Sequence, residues 1–231
     1  EQTVLDIEQL HIPAGQTFGL VGNNGAGKTT LFSLMLDLIA PTTGTVTNNN
    51  IVVQKSEDWK THTAAFLDEN FLIGYLTPEE YFTFIGGLRD MKKEEVSTAL
   101  KQYADFFHGE VLGQKKYIRD LSKGNQKKVG IVGTLLSNTP LVILDEPFAA
   151  LDAFTKEDLW DVMHKLKKER DFTCILITHD LREAIMFSDR IIFCNETPLK
   201  ILWEKKIDLQ MIAVNKSNYL AKKNKKIFNK I

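Results

Sequence analysis

The sequence predicts an α/β fold, a mainly parallel sheet covered by helices on both faces, with a block of helices inserted into it. Three observations carry this. Short apolar runs of strand length recur at TFGLV (Thr17–Val21), LVILD (Leu141–Asp145), TCILIT (Thr173–Thr178) and RIIFC (Arg190–Cys194). Between two of them lies KEDLWDVMHKLKKER, Lys156–Arg170, whose apolar residues recur at amphipathic helical spacing. Between Asn70 and Asn138 the pattern turns helical: PEEYFTFIGGL, then KKEEVSTALKQYADFF, then KGNQKKVGIVGTLLSN.

Taken in order, Thr3–Ile12 alternates apolar and polar residues as a half-buried strand does, and Pro13–Gly15 turns the chain into the next strand. A glycine-rich stretch follows Val21, and LFSLMLDLIA, Leu31–Ala40, has helical spacing that ends at Pro41–Gly44. TVT, IVVQ and AAFL predict three further short strands. The implied division is an α/β core at about 1–68 and 139–205, a helical subdomain at about 69–138, and a basic tail at 206–231. From Asn215 to Ile231 the tail carries six lysines and no acid. Such a run is ordinarily a solvated end, and the sharper alternative is a docking segment for an anionic membrane surface.

With 231 residues the chain is long enough for a full core. Net charge is −1, so no global field attracts nucleic acid, and no nucleic-acid partner is expected. Cys174 and Cys194 both lie in apolar strand runs, which predicts inert core thiols rather than a disulfide or metal ligands. No apolar run approaches the ~20 residues of a membrane span, and no signal peptide is expected before the first strand. The expected location is cytoplasmic. The chain begins at Glu1 rather than Met, so trimming is expected.

The stretch GNNGAGKTT is Gly22, Asn23, Asn24, Gly25, Ala26, Gly27, Lys28, Thr29 and Thr30, and it fits G-x-x-x-x-G-K-[ST] between a strand and a helix. Glycines let the backbone adopt conformations that side chains forbid, so its N–H groups turn inward as an anion nest at a helix N-terminus. Lys28 is expected to reach the β- and γ-phosphates of ATP, and the Thr29 hydroxyl to ligate Mg²⁺. LVILDEP, Leu141–Pro147, is a buried strand ending in two acids. Asp145 is assigned to the metal, through water, and Glu146 to orienting and deprotonating the attacking water.

The order of phosphate loop, helical block, LSKGNQKKV, LVILDEP, ALD and ITHD resembles the nucleotide-binding domain of ABC transporters, from Val4 to about Trp203. The resemblance implies a phosphate-loop NTPase core with an antiparallel β subdomain and an inserted helical subdomain. It makes Leu121–Gln126 the signature motif, which closes over the γ-phosphate bound by the opposite subunit. The residues suit that role: Ser122 is a good N-cap, Gly124 leaves room for phosphate, and a helix N-terminus follows. Ala150–Asp152 resembles the D-loop at the dimer interface. His179 resembles the switch histidine that contacts the γ-phosphate and holds the catalytic water.

Three departures stand out. The usual signature LSGGQ here has Lys123 and Asn125 at its third and fifth positions. Asp68 stands in the Q-loop where a glutamine is usual, and its carboxylate is expected to approach Mg²⁺ through water. The aromatic residue that stacks on adenine in this family falls, by spacing, at or before Glu1. Lys123, the acid at 68 and the single short domain are similar to the ABC-2 type exporter branch, with its bacitracin-type and lantibiotic-immunity ATPases. The resemblance implies an ATPase subunit that powers separate transmembrane permease subunits from the inner face of the cell membrane. It would act as a homodimer, or as a heterodimer with a related ATPase subunit. The competing reading is a slow, nucleotide-dependent regulatory clamp.

Overall fold

A computed structural model describes residues 3–195 and 198–207, with Asn195 described in its backbone alone. Six strands form one sheet in the order β4-β5-β6-β1-β7-β8. They are β1 Thr17–Gly22, β4 Thr63–Phe66, β5 Leu141–Asp145, β6 Thr173–Thr178, β7 Arg190–Asn195 and β8 Lys200–Lys206. All neighbours are parallel except β8, which runs antiparallel to β7 at the edge. A separate two-stranded antiparallel sheet pairs β2, Thr47–Asn48, with β3, Ile51–Val52.

The apolar runs form central strands because both of their faces are covered. On β5, Val142 and Leu144 point into one core layer and Ile143 into the other. On β6, Cys174 and Leu176 face the first layer while Ile175 and Ile177 face the second. A run without alternation is thus a strand whose two sets of side chains are both buried. The second layer is closed by Phe32 of α1, Lys28–Met35. The first is closed by α2 (Pro78–Gly87), α3 (Lys93–Leu100), α4 (Ala104–Phe107), α5 (Lys123–Leu136) and α6 (Ala153–Glu169). α7, Leu181–Phe187, adds Ala184 beside Val21 and Ile191.

Local chemistry places the helix ends. Thr77 and Glu80 form a capping box at α2: Glu80 N donates to Thr77 Oγ1 at 3.3 Å, and Thr77 N donates to Glu80 Oε2 at 2.8 Å. Pro78 occupies the first turn, where its missing N–H costs nothing. Asn125 N donates to Ser122 Oγ at 3.2 Å at the start of α5. Asp152 caps α6 by accepting from Phe154 N and Thr155 N.

The N-terminal segment differs from its expectation. Residues 3–12 form no strand, only a single parallel bridge from Leu5 to Leu199. α1 is shorter than its periodic pattern, ending at Met35 before Asp37 turns to φ +55°. The helix expected from Lys92 to Phe107 breaks at a tight turn over Lys101–Tyr103. The basic tail from residue 208 onward lies outside the described residues. Both cysteines are buried and free, as their strand positions implied.

Candidate active site

Parallel strands deliver their C-terminal ends to one edge of the sheet, and the loops after β1, β5 and β6 meet there. After β1 the chain wraps through residues 23–27 into α1. Gly25 and Gly27 take left-handed conformations, φ +83° and +98°. Gly22 is required for a different reason than backbone freedom: a Cβ there would lie 2.5 Å from the Cys194 carbonyl oxygen on β7. Ala26 is buried beneath the turn. Lys28, 7% exposed, folds back so that Nζ donates to the carbonyls of Gly22 at 2.7 Å and Asn23 at 2.9 Å.

A cavity of about 290 Å³ opens against this loop, lined by Asn24, Gly25, Gly27, Lys28, Thr29 and Thr30, with Val4, Asp145 and Glu146 across from them. Burial first, and then the neighbouring Glu146 charge, push the Asp145 carboxyl up to about 6, with Lys28 and Lys127 pulling it the other way. Glu146, one residue past β5, holds a left-handed φ of +45°. Its Oε2 lies 2.8 Å from His179 Nδ1. His179 follows Thr178, whose hydroxyl donates to buried Glu183 at 2.6 Å, and Lys156 of α6 donates to the other oxygen of Glu183 at 2.8 Å. The end of β6 is thereby clamped to both α6 and α7.

The structure therefore gathers Lys28, Thr29, Asp145, Glu146 and His179. Asp68 is near enough for its charge to be felt at Asp145, but it does not line the cavity. Its carboxylate accepts from Asn70 N at 2.6 Å and caps the short turn Glu69–Phe71. Ser122 and Gly124 lie elsewhere, on a second cavity of about 330 Å³ shared with Ala150, Leu151 and Asp152. Ser122 and Lys123 are exposed, and a Cβ on Gly124 would meet nothing within 4 Å. Sequence reasoning missed Glu183 and Lys127, both buried. The available signal was an ionisable residue inside an otherwise apolar helical face.

Among the described residues, no three His, Cys, Asp or Glu side chains converge as a preformed metal site. The oxygen donors that flank the cavity, Thr29 and the desolvated Asp145, suit a hard cation that arrives with phosphate oxygens.

Residues 5–149 match the family model described as ABC transporter. An ABC transporter ATP-binding protein of Methanocaldococcus jannaschii is 34% identical over 194 residues, covering 83% of this chain and 68% of that protein. An aliphatic sulfonates import ATP-binding protein of Escherichia coli is 32% identical over 197 residues, covering 85% of this chain and 73% of that one. Among solved structures, a dimeric ATP-binding cassette in a post-hydrolysis state, bound to ADP and Pi, superposes with a TM-score of 0.74 at 26% identity. That match covers 86% of this chain and 88% of the other. With the phosphate loop, the acidic strand end and the histidine on one sheet edge, the chain belongs to the ABC transporter family as one of its ATP-binding ATPase domains.

Proposed function

We propose that the chain is the ATP-hydrolysing subunit of a membrane transporter and works as a head-to-tail pair. The observation that carries this is the Glu146–His179 contact of 2.8 Å at a cavity lined by Lys28, Thr29 and Asp145, with the signature residues facing outward on another surface. Lys28 is held by two neutral carbonyls, and phosphate oxygens offer it charged acceptors, which are stronger partners. Residues 22–30 wrap the phosphates with backbone N–H groups. Glu146 takes the proton of the attacking water, and His179 holds that carboxylate and the water in line. Mg²⁺, held by Thr29 and by Asp145 through water with Asp68 at the margin, would neutralise the charge developing on the phosphates. Ser122 and Gly124 of the second copy complete the site.

ATP favours the closed pair because it contacts both copies, and loss of the γ-phosphate removes that preference. The helical segment at about 69–138 is proposed as the moving part, against a core at about 1–68 and 139–205. Phe71 and Tyr75 are each 69% exposed in the loop after β4, and Leu88 is 65% exposed just beyond α2. The exposed aromatic groups of that loop support docking of permease subunits there, at the inner face of the membrane. Lys123 and the acid at 68 support placement in the ABC-2 branch with the bacitracin- and lantibiotic-type ATPases.

The test is turnover and assembly of the purified chain. Wild type is expected to hydrolyse ATP and Lys28→Ala to lose that turnover. Glu146→Gln is expected to sediment as a dimer with ATP. A Glu146→Gln chain that stays monomeric at saturating ATP would count against the scheme. ATP binding without turnover would favour the regulatory clamp instead.

A further inference from the structure

Lys127 lies within the first turns of α5 and is 6% exposed. Its Nζ donates to the backbone carbonyl of Glu146 at 2.9 Å and lies 3.5 Å from Oε1 of Glu69. The ion pair is itself largely covered, with side-chain exposures of 8% and 16%. Burying an ammonium is costly unless acceptors replace water, so these two acceptors are what make the position tolerable.

The acceptor at 146 is unusual. Glu146 is a residue with a side chain held at φ +45°, a conformation that persists where the surroundings impose it. Its peptide is pinned on two sides: Glu146 N donates to Ile177 O on β6 at 2.9 Å, while its carbonyl accepts from Ala149 N at 3.1 Å and from Lys127. The carboxylate carried by this pinned backbone lies 2.8 Å from His179 Nδ1. Glu69 opens the short turn after β4 that Asp68 caps, so the grip on Lys127 comes from the loop between β4 and α2.

We infer that Lys127 is a positioning residue for Glu146, and that Glu69 holds Lys127 so that the loop after β4 and the signature helix together set the catalytic carboxylate. This rests on the reading of Glu146 as the base. A shift of that loop would reach the carboxylate through one ammonium group, a direct link between the permease-facing side and the chemistry.

The experiment is steady-state ATP hydrolysis by the full chain with Mg²⁺, reading kcat and KM separately, alongside nucleotide affinity from displacement of a fluorescent ATP analogue. Lys127→Met is expected to lower kcat about tenfold or more while KM and affinity stay within about threefold. Lys127→Arg, which keeps the donors, is expected to recover most of the rate, and Glu69→Gln to fall between them. A Met variant at the wild-type rate, an Arg variant no better than Met, or kcat and affinity falling together would each overturn the inference. If circular dichroism shows that Lys127→Met does not fold, Glu69→Gln decides: lower kcat at unchanged KM supports the link, and wild-type kcat overturns it. A folded wild type without turnover overturns the reading of the base and this inference with it. A wild type silenced by Lys28→Ala yet indifferent to Lys127 overturns the inference alone.

Discussion

Asp145 is an acid whose surroundings disfavour its anion. Its carboxyl is raised from the ordinary 3.8 to about 6, chiefly because it is buried and secondly because Glu146 is next to it. Between those two values the folded chain keeps a proton that the unfolded chain has released. Stability from this group is therefore full below about pH 4 and lost as pH rises through about 6. In magnesium-free protein, Asp145→Asn should flatten that part of the pH profile and raise stability at pH 7.5 by about 1–2 kcal/mol, after discounting for solvent screening. Calorimetry of wild type and variant from pH 4 to 7.5 in chelator checks it, and a variant no more stable at pH 7.5 refutes it. The same burial pushes the Cys174 thiol up to about 12 and the Cys194 thiol to about 11, which keeps both protonated at neutral pH. At this scale the residues that announce themselves are those whose neighbours in sequence create their role, as the glycines around Lys28 do. Lys127 and Glu183 act through partners 19 and 27 residues away, Glu146 and Lys156, and no local spacing reports such contacts.

Helix α5 reaches the sheet because it carries glycine where neighbours come close. A Cβ at Gly130 would sit 2.1 Å from Phe66 Cε2, and one at Gly133 would sit 2.8 Å from Tyr81 Cε1. Helix propensity favours alanine over glycine by about 1 kcal/mol, but overpacking a closed core costs about 1–3 kcal/mol. Gly130→Ala should therefore be net destabilising, while Gly87→Ala at the exposed end of α2, with nothing within 4 Å, should stabilise by about 0.5 kcal/mol. Urea unfolding of the two variants should move the midpoint in opposite directions, and a shared direction would defeat the packing account. Sequence periodicity told elements apart in a related way. It reports which side chains are buried, not which backbones are paired. The central strands were legible because their apolar runs require cover on two faces. Residues 3–12 alternate, and Leu5, Ile7, Leu10 and Ile12 do pack on the second core layer, yet beyond the bridge to Leu199 no strand ladder forms along them. β8 was not legible, since its side chains are mostly exposed and an edge strand needs no apolar run.

At the scale of the whole molecule, the cavity that holds Lys28, Thr29, Asp145 and Glu146 shares no lining residue with the one that holds Ser122 and Gly124. If a single copy performed the complete reaction, its signature turn would belong to the first cavity. Instead the turn projects to solvent, where its helix N-terminus and small glycine suit a phosphate brought by another copy. Gly124 is the sharpest probe, because its own fold leaves the space beside it open: a side chain there should leave the monomer intact and obstruct only what comes from outside. In a Glu146→Gln background, which is expected to pair with ATP, Gly124→Asp places bulk and negative charge against the incoming phosphates. That variant should bind ATP with unchanged affinity through residues 22–30, unfold at the same temperature within about 2 °C, and yet sediment as a monomer at saturating ATP. Lys28→Ala in the same background should also remain monomeric, but because ATP no longer binds. Retained binding with lost pairing separates the two halves of the site onto two copies. A Gly124→Asp chain that still dimerises with ATP would show that the signature turn does not face the partner's nucleotide, and the head-to-tail arrangement would have to be abandoned.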